Sequence, residues 1–216
     1  MELTILAPHP LIDHKIGLLR SVETASPTCR ALVNEISALL VYEATKHLRT
    51  KTIEITTPLV ETTGRTLSKS PRPLIVPILR AGLGMLEAFQ QAVPIADVGF
   101  FDMKRDEQTL APVISMDKVP TDLTGRQCLV IDPMLATGGS LLAALTILVE
   151  RHATDITACC LIAAPEGLVA VRAFALKHPD LSLRLIIAER DKKLNQRGYI
   201  VPGLGDAGDR LYGVEL

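Results

Sequence analysis

The chain has 216 residues, of which 48% are hydrophobic and 22% charged, and its formal net charge is −1. This length and composition are typical of one globular domain with a sizeable core. The near-neutral charge excludes the basic surface of a non-specific nucleic-acid binder, and the absence of Trp leaves few side chains that could stack on bases. We expect a single domain over 1–216, with a core at about 71–190, an N-terminal helix and arm at 1–70 and a tail at 191–216.

The cysteines and the apolar runs indicate the compartment. No two of Cys29, Cys128, Cys159 and Cys160 form a C-x-x-C pair, and the last three lie in apolar runs typical of core residues, not metal ligands or disulfide partners. The N-terminus lacks a basic stretch followed by an apolar one, and no apolar run approaches the length of a membrane span. These features predict a cytoplasmic protein without a membrane partner.

The first predicted elements are a helix and an arm. Ser26-Pro27 is a favourable helix start, apolar residues then recur at helical spacing, and the helix is predicted to run to about His47. The segment 52–65 is rich in Thr, Ile and Val, with Thr-Thr-Pro near its middle, and predicts a short strand pair or arm. An arm outside the main sheet would be a natural contact between two copies of the chain.

A buried strand is predicted at 74–79 and a helix at about 85–92. Arg80 follows the strand directly and stands beside Gly82 and Gly84. Open α/β sheets bind ligands at the carboxyl ends of their strands, so Arg80 is a candidate binding residue. The alternative is an ordinary solvated loop arginine.

A charged loop follows the third predicted strand, 96–101. Residues 104–109 are polar and resemble a mobile loop, and 112–116 could form a returning strand. The loop is long enough to close over a site as a lid, although its composition also fits a solvated hairpin tip.

The most informative stretch is 128–140. Cys128 to Ile131 predict a buried strand, Asp132 follows it, and Thr137-Gly138-Gly139-Ser140 then opens a helix at about 141–150. A glycine pair before a helix N-terminus presents unpaired N–H groups to an anion, and Asp132 could accept hydrogen bonds from sugar hydroxyls. The pattern is neither a Walker A loop nor a dinucleotide fingerprint. Taken alone, the glycine pair could also be a simple strand-to-helix turn.

The second half of the chain alternates strands and helices. Strands are predicted at 157–163 and 181–187, and a helix between them begins at Ala164-Pro165 and runs to about Lys177. This alternation predicts an α/β fold with an open, mostly parallel twisted sheet flanked by helices on both faces.

The tail at 198–210 contains four glycines and a proline, and is expected to be neither a helix nor an ordinary strand. Its backbone N–H and C=O groups could read the edge of a flat base. A disordered terminus is the alternative, but Ile200, Val201, Leu204 and Leu211 argue against it.

These motifs together resemble the uracil phosphoribosyltransferase family over essentially the full chain. The segments that carry the resemblance are 76–85, 132–140, 163–167 and 198–210. The resemblance implies the type I phosphoribosyltransferase fold, with a small hood from the N- and C-terminal segments. It also implies transfer of the 5-phosphoribosyl group from phosphoribosyl pyrophosphate (PRPP) to uracil, giving UMP and pyrophosphate.

The resemblance also implies roles for particular positions. The ribose and 5-phosphate would be held by Asp132, Pro133, Met134, Leu135, Ala136, Thr137, Gly138, Gly139 and Ser140. The pyrophosphate would be bound by Arg80 and Arg105, and Arg105 and Asp132 are the catalytic candidates. Uracil would be read, largely through backbone atoms, by Ile200, Gly205, Asp206 and Ala207.

The implied cofactor is Mg²⁺, held mainly by PRPP, and Asp206 would reach the metal directly or through water. A homodimer or higher homo-oligomer is expected, and the resemblance leaves open whether GTP activates the enzyme. The chain departs from the common family pattern at 102–104 and 113–116, around the predicted lid, and it carries Pro133 where many phosphoribosyltransferases have a second acid.

Two other functions compete with this interpretation. A regulator that keeps the fold and senses nucleotides, in contact with RNA, would need a basic surface, which the net charge does not support. A phosphoribosyltransferase for another base, such as a purine, would more naturally stack its substrate on an aromatic side chain.

Overall fold

The structure, a computed structural model, describes residues 1–105 and 112–213, and of Lys104, Arg105, Pro112 and Val113 only the backbone. The described strands are β1 (Glu2–Ile5), β2 (Thr50–Thr56), β3 (Glu61–Leu67), β4 (Leu74–Leu79), β5 (Asp97–Val98), β6 (Phe100–Arg105), β7 (Pro112–Lys118), β8 (Gln127–Ile131), β9 (Met134–Leu135), β10 (Asp155–Ala163), β11 (Ser182–Arg190), β12 (Lys193–Leu194) and β13 (Ile200–Val201). The described helices are α1 (Pro10–Arg20), α2 (Ser26–Ala44), α3 (Leu83–Ala92), α4 (Gly139–Glu150), α5 (Pro165–Lys177) and α6 (Ala207–Tyr212).

A twisted sheet runs through the centre of the chain in the order β1-β11-β10-β8-β4-β6-β7, with β5 also paired to β4 and β9 to β10. Only the β6–β7 pair is antiparallel among the described pairs of this sheet. The predicted open, mostly parallel sheet is therefore confirmed. Its parallel strands place their carboxyl ends at one common edge.

Helices cover both faces of this sheet. Every residue of β8 is buried, as expected for a strand covered on both sides, and its apolar run reads continuously for that reason. One apolar cluster packs α1, α2 and α3 against the sheet, and a second cluster packs α4 and α5 against the opposite face. Cys29, Cys128, Cys159 and Cys160 are buried free thiols, and the core positions predicted for the last three are confirmed.

The N-terminus contributes two elements that the sequence patterns did not predict. Strand β1 extends the main sheet by pairing with β11, and Leu3 lies opposite Leu185. Helix α1 begins after His9, whose ring nitrogen accepts a hydrogen bond from the backbone N–H of Leu11 at 3.2 Å. The four-residue strand is too short to show a period, whereas Ile12, Ile16 and Leu19 of α1 stand at helical spacing and were a usable signal for that helix.

The predicted arm is confirmed as an antiparallel hairpin of β2 and β3, outside the main sheet. Every residue of β2 is exposed, and Leu59 near the turn is 95% exposed. The predicted third strand is interrupted at Gly99, so that β5 and β6 pair with β4 in succession. The predicted lid tip, 106–109, lies outside the described residues. Within the parts of the chain that are described, no helix is both long and apolar enough to cross a bilayer.

Candidate active site at the carboxyl edge of the sheet

The site begins where two neighbouring strands end. Strands β4 and β8 are parallel neighbours, with Pro77 opposite Ile131. Arg80 and Asp132 follow the last residues of these strands, so both lie at the carboxyl edge of the sheet. This is the position that the sequence predicts for ligand-binding residues.

Asp132 is held in place by its backbone and is partly buried. Its N–H donates to the carbonyl of Cys159 at 3.1 Å. Burial raises the pKa of the carboxyl to about 7, and a hydrogen bond from the backbone N–H of Met134 offsets part of that effect. The carboxyl group of Asp132 therefore stays neutral up to a pH well above the usual pKa range of an aspartate.

The predicted anion seat follows Asp132. After β9 the chain turns through Gly138, which has a φ of 89° that disfavours any side chain, and α4 begins at Gly139. The first N–H groups of a helix have no partner within it, and Gly139 N–H makes only a 3.4 Å contact with Thr137 Oγ1. Thr137 is exposed. The loop thus presents backbone donors and a hydroxyl to an anion.

Helix α5 supports the loop from behind. A Cβ on Gly167 would lie 2.5 Å from the carbonyl oxygen of Ala136, so the first turn of α5 touches the loop backbone. The N–H of Ala164 donates to Leu135 O at 2.9 Å. Gly167 is required here because the helix and the loop approach within van der Waals distance.

Arg80 contacts the C-terminal helix α6. Its half-exposed guanidinium places Nη2 4.0 Å from Asp209 Oδ1, and the hydroxyl of Tyr212 donates to the Arg80 carbonyl at 3.2 Å. A Cβ on Gly208 would lie 3.6 Å from Arg80 Nη2 and 3.1 Å from Asp206 Oδ1. Arg80 and Asp206 therefore both lie beside Gly208.

The glycine-rich tail is ordered, and it contains two short elements that its composition did not predict. Ile200 is buried in β13, which pairs with β12, and Ala207 begins α6. Asp206 caps α6 by accepting the N–H of Asp209 at 3.0 Å. Gly205 has a φ of 80°, and open space surrounds the position of an added Cβ.

The tail packs near the short connection between β8 and β9. Pro133 lines a small apolar cavity together with Leu204, Ala207 and Leu211. Glu166, in the first turn of α5, accepts the N–H of Leu194 at 3.0 Å, and this bond lowers the pKa of the Glu166 carboxyl. Helix α5 is thereby tied to the strand that pairs with β13.

Arg105 ends β6, which runs parallel to β4 with Asp102 opposite Leu79. Its backbone therefore reaches the same carboxyl edge as Arg80 and Asp132. The side chain of Arg105 lies outside what the structure describes.

The donor set fits a magnesium ion that is bound chiefly by a substrate. Over residues 1–105 and 112–213, no group of three His, Cys, Asp or Glu side chains is arranged to hold a metal ion. Asp206 supplies hard oxygens near the edge, and Asp132 supplies them when its carboxyl group is ionised. Mg²⁺ commonly takes one or two carboxylates and completes its shell with phosphate oxygens and water.

Asp209 and Tyr212 at this site are not among the residues that the sequence singles out. The sequence did carry a usable signal for Asp209. The tail segment Gly-Asp-Ala-Gly-Asp-Arg contains two acids, Asp206 and Asp209, and only Asp206 has an assigned role. Tyr212 gave no signal, since its contact with Arg80 spans 132 positions.

An open α/β sheet with a glycine-rich anion seat at its carboxyl edge defines an enzyme-like binder of phosphorylated ligands. The chain belongs to the uracil phosphoribosyltransferase family, whose model, "Uracil phosphoribosyltransferase", matches residues 6–214. The resemblance drawn from the sequence is therefore confirmed.

Individual relatives agree with the family model. The chain is 54% identical to the uracil phosphoribosyltransferase of Leifsonia xyli, over 96% of this chain and 97% of that protein. It is 52% identical to the uracil phosphoribosyltransferase of Cutibacterium acnes, over 99% of both. A solved structure of a protein from Aquifex aeolicus is 38% identical and superposes with a TM-score of 0.88, covering 99% of each chain.

Proposed function

We propose that this protein transfers the 5-phosphoribosyl group of PRPP to uracil, producing UMP and pyrophosphate in pyrimidine salvage. The observation that carries the proposal is that Pro133, which follows Asp132 at the sheet edge, shares one cavity with the tail residues Leu204 and Ala207, in a chain of the uracil phosphoribosyltransferase family. One end of this site suits a ribose phosphate and the other a small base.

The loop would hold the 5-phosphate and the ribose. Backbone donors of the first turn of α4, with Thr137 and Ser140, would bind the phosphate, since its charge is favoured at a helix N-terminus. Asp132 would accept hydrogen bonds from the ribose hydroxyls. Its ionised form would favour positive charge that develops at the anomeric carbon.

Arg80 and Arg105 would bind the pyrophosphate. Both arginines end or follow parallel strands at the same edge, and a guanidinium can bind two phosphate oxygens at once. Asp206 would face PRPP through Mg²⁺ or water, and the bound metal would neutralise charge on the departing pyrophosphate. Stabilising that leaving group favours cleavage of the bond at the anomeric carbon.

Uracil would lie against the tail. Ile200 would supply a buried apolar contact, while Gly205, Asp206 and Ala207 would offer backbone groups to the base edge. Uracil N1 would attack the anomeric carbon from the face opposite the leaving pyrophosphate, with inversion. Alignment of two bound reactants can contribute about 7–11 kcal/mol to acceleration.

The arm formed by β2 and β3 would contact a second copy of the chain in a homodimer or higher oligomer. Its exposed apolar residues Leu59 and Val60 support this assembly. Sedimentation of a Leu59→Lys variant should shift toward monomer. Leu176→Lys, a change at a residue 77% exposed on α5, is the matched control and should leave the assembly intact.

A turnover assay tests the reaction. Purified protein with Mg²⁺ and PRPP is mixed with uracil, cytosine, hypoxanthine or adenine, and nucleotide formation is followed. We expect UMP from uracil alone, with a loss of at least about 100-fold in kcat for Asp132→Asn. Asp180→Asn, the same chemical change at an exposed position, is the control and should keep full activity.

Two outcomes would redirect the proposal. A nucleotide formed from a purine and not from uracil would identify another phosphoribosyltransferase. PRPP binding without any nucleotide would favour the regulator, unless added GTP restored turnover, which would support the GTP activator that the family resemblance left open. The cytoplasmic location predicted from the sequence stays a prediction.

A further inference from the structure

A buried ion pair joins the end of α1 to the tail. Arg20, the last residue of α1, donates from Nη1 to Asp191 Oδ2 at 2.8 Å, and its Nη2 pairs with Asp191 Oδ1. Asp191 follows the last residue of β11, and its side chain is 1% exposed. Nη2 also lies 3.2 Å from Glu189 Oε1. A carboxylate this deeply buried needs a partner of opposite charge.

The same pair holds both polar backbone atoms of Gly203. Arg20 Nη1 donates to the Gly203 carbonyl at 2.8 Å, and the Gly203 N–H donates to Asp191 Oδ2 at 2.9 Å. Gly203 has a φ of 65°, and an added Cβ would lie 2.1 Å from the carbonyl oxygen of Ile200. No rearrangement of the tail at Gly203 can occur while these contacts persist.

Gly203 stands between the two parts of the tail that are proposed to read uracil. Ile200 precedes it by three positions, and Gly205 follows it by two. Fixing Gly203 therefore fixes the direction in which the chain leaves Ile200 and enters Gly205. Further along the tail, Arg210 also ties the chain to the end of α1, since its Nη2 donates to the carbonyls of Leu19 at 2.6 Å and Ser21 at 2.8 Å.

We propose that Arg20 and Asp191 are positioning residues for uracil: by holding Gly203, they set the geometry of Ile200 and Gly205–Ala207 without touching the base. This inference rests on the proposed function. The pair joins α1 to the tail, and among the described residues neither Arg20 nor Asp191 forms a hydrogen bond or an ion pair with the loop at Thr137–Ser140. Its loss should impair the use of uracil much more than the use of PRPP.

Steady-state kinetics of Asp191→Asn and Arg20→Lys test this inference. Asp191→Asn removes the charge and one acceptor at nearly constant volume. Arg20→Lys keeps a cation but lacks the planar fork that spans Asp191 and the Gly203 carbonyl. Because hydrogen bonds to charged groups are lost, we expect the KM for uracil to rise about tenfold or more in Asp191→Asn and less in Arg20→Lys. The KM for PRPP should stay within about twofold of the wild-type value, because the loop contacts are untouched.

The matched control is a second partly buried pair on the same sheet. Arg184 pairs with Asp155 across β10 and β11, at the opposite ends of those strands from the site. Asp155→Asn should lower the melting temperature and leave both KM values unchanged. The melting temperature of each variant separates a loss of folding from a loss of positioning.

Each result bears on the inference. The inference is supported if the KM for uracil rises while the KM for PRPP does not, and if this occurs in the Arg20 and Asp191 variants but not in Asp155→Asn. Equal changes in both KM values, an unchanged uracil KM, or the same effect from Asp155→Asn would overturn the inference and leave the proposed function standing. If Asp191→Asn does not fold, Arg20→Lys decides by the same criterion. Absence of UMP formation by the wild-type protein would overturn the proposed function and the inference together.

Discussion

The raised pKa of Asp132 has a consequence for stability that does not depend on catalysis. The carboxyl has an ordinary pKa of 3.8, and burial raises it to about 7 in the folded chain. Between these values the folded protein binds a proton that the unfolded chain has released. The contribution of Asp132 to the free energy of unfolding must therefore fall as the pH rises from about 4 to about 7, and then level off.

The size of the effect follows from the shift. About three pH units at 1.36 kcal/mol each give a cost of about 4 kcal/mol above pH 7, which is an upper value because Asp132 keeps some contact with solvent. Asp132→Asn retains an oxygen that can accept the Met134 N–H and carries no charge. The variant should therefore be more stable than the wild type at pH 8, and the difference should be about 2–3 kcal/mol larger at pH 8 than at pH 5.

Urea unfolding of both proteins at pH 5, 6, 7 and 8, without substrates, measures this difference. Other titrating groups are shared by the two proteins, so they cancel when the free energies of unfolding are subtracted. Asp180→Asn serves as the control at an exposed site and should show a difference that does not change with pH. A difference between Asp132→Asn and wild type that stayed constant, or shrank toward pH 8, would refute the argument that burial favours the neutral carboxyl.

Three further predictions concern the loop, the pyrophosphate arginine and the thiols. Gly167→Ala should destabilise the protein by about 1–3 kcal/mol and raise the KM for PRPP, because its Cβ would press on the Ala136 carbonyl. Urea unfolding and steady-state kinetics measure the two effects. Gly17→Ala, which has no atom near its Cβ, is the control and should show neither effect. Arg80→Met should weaken PRPP binding by about tenfold or more in calorimetric titration, and an unchanged affinity would remove Arg80 from the site. Burial raises the pKa of the Cys128 thiol to about 12, so the native protein should react slowly with a disulfide reagent at pH 8 and release four thiols in urea; fast native reaction would contradict the buried placement.

The parallel core could be predicted from the sequence because its strands are buried on both faces. Strands β4, β8 and β10 are mostly apolar along their length, and the loop after β8 carries its own glycine signature. Because the strands are parallel, the residues that follow them must lie at the common carboxyl edge of the sheet. For this reason the sequence alone predicts that Arg80 and Asp132 lie at the same edge of the sheet.

The hood could not be predicted in the same way. Helix α6 is six residues long and lies in a glycine-rich segment, so the composition of the segment does not indicate a helix. The ion pair of Arg20 and Asp191 joins positions 171 apart, and nothing in either local sequence indicates a partner. Strand β1 is recognisable only through its pairing with β11, a tertiary contact.

The most direct test of the proposed function is the mass balance of the reaction, followed by phosphorus NMR with Mg²⁺, PRPP and uracil. We expect UMP and pyrophosphate to appear in a one-to-one ratio at the rate at which PRPP disappears, and PRPP to persist when uracil is omitted. PRPP that stays intact beside uracil, or that is hydrolysed without any UMP, would contradict the proposed function.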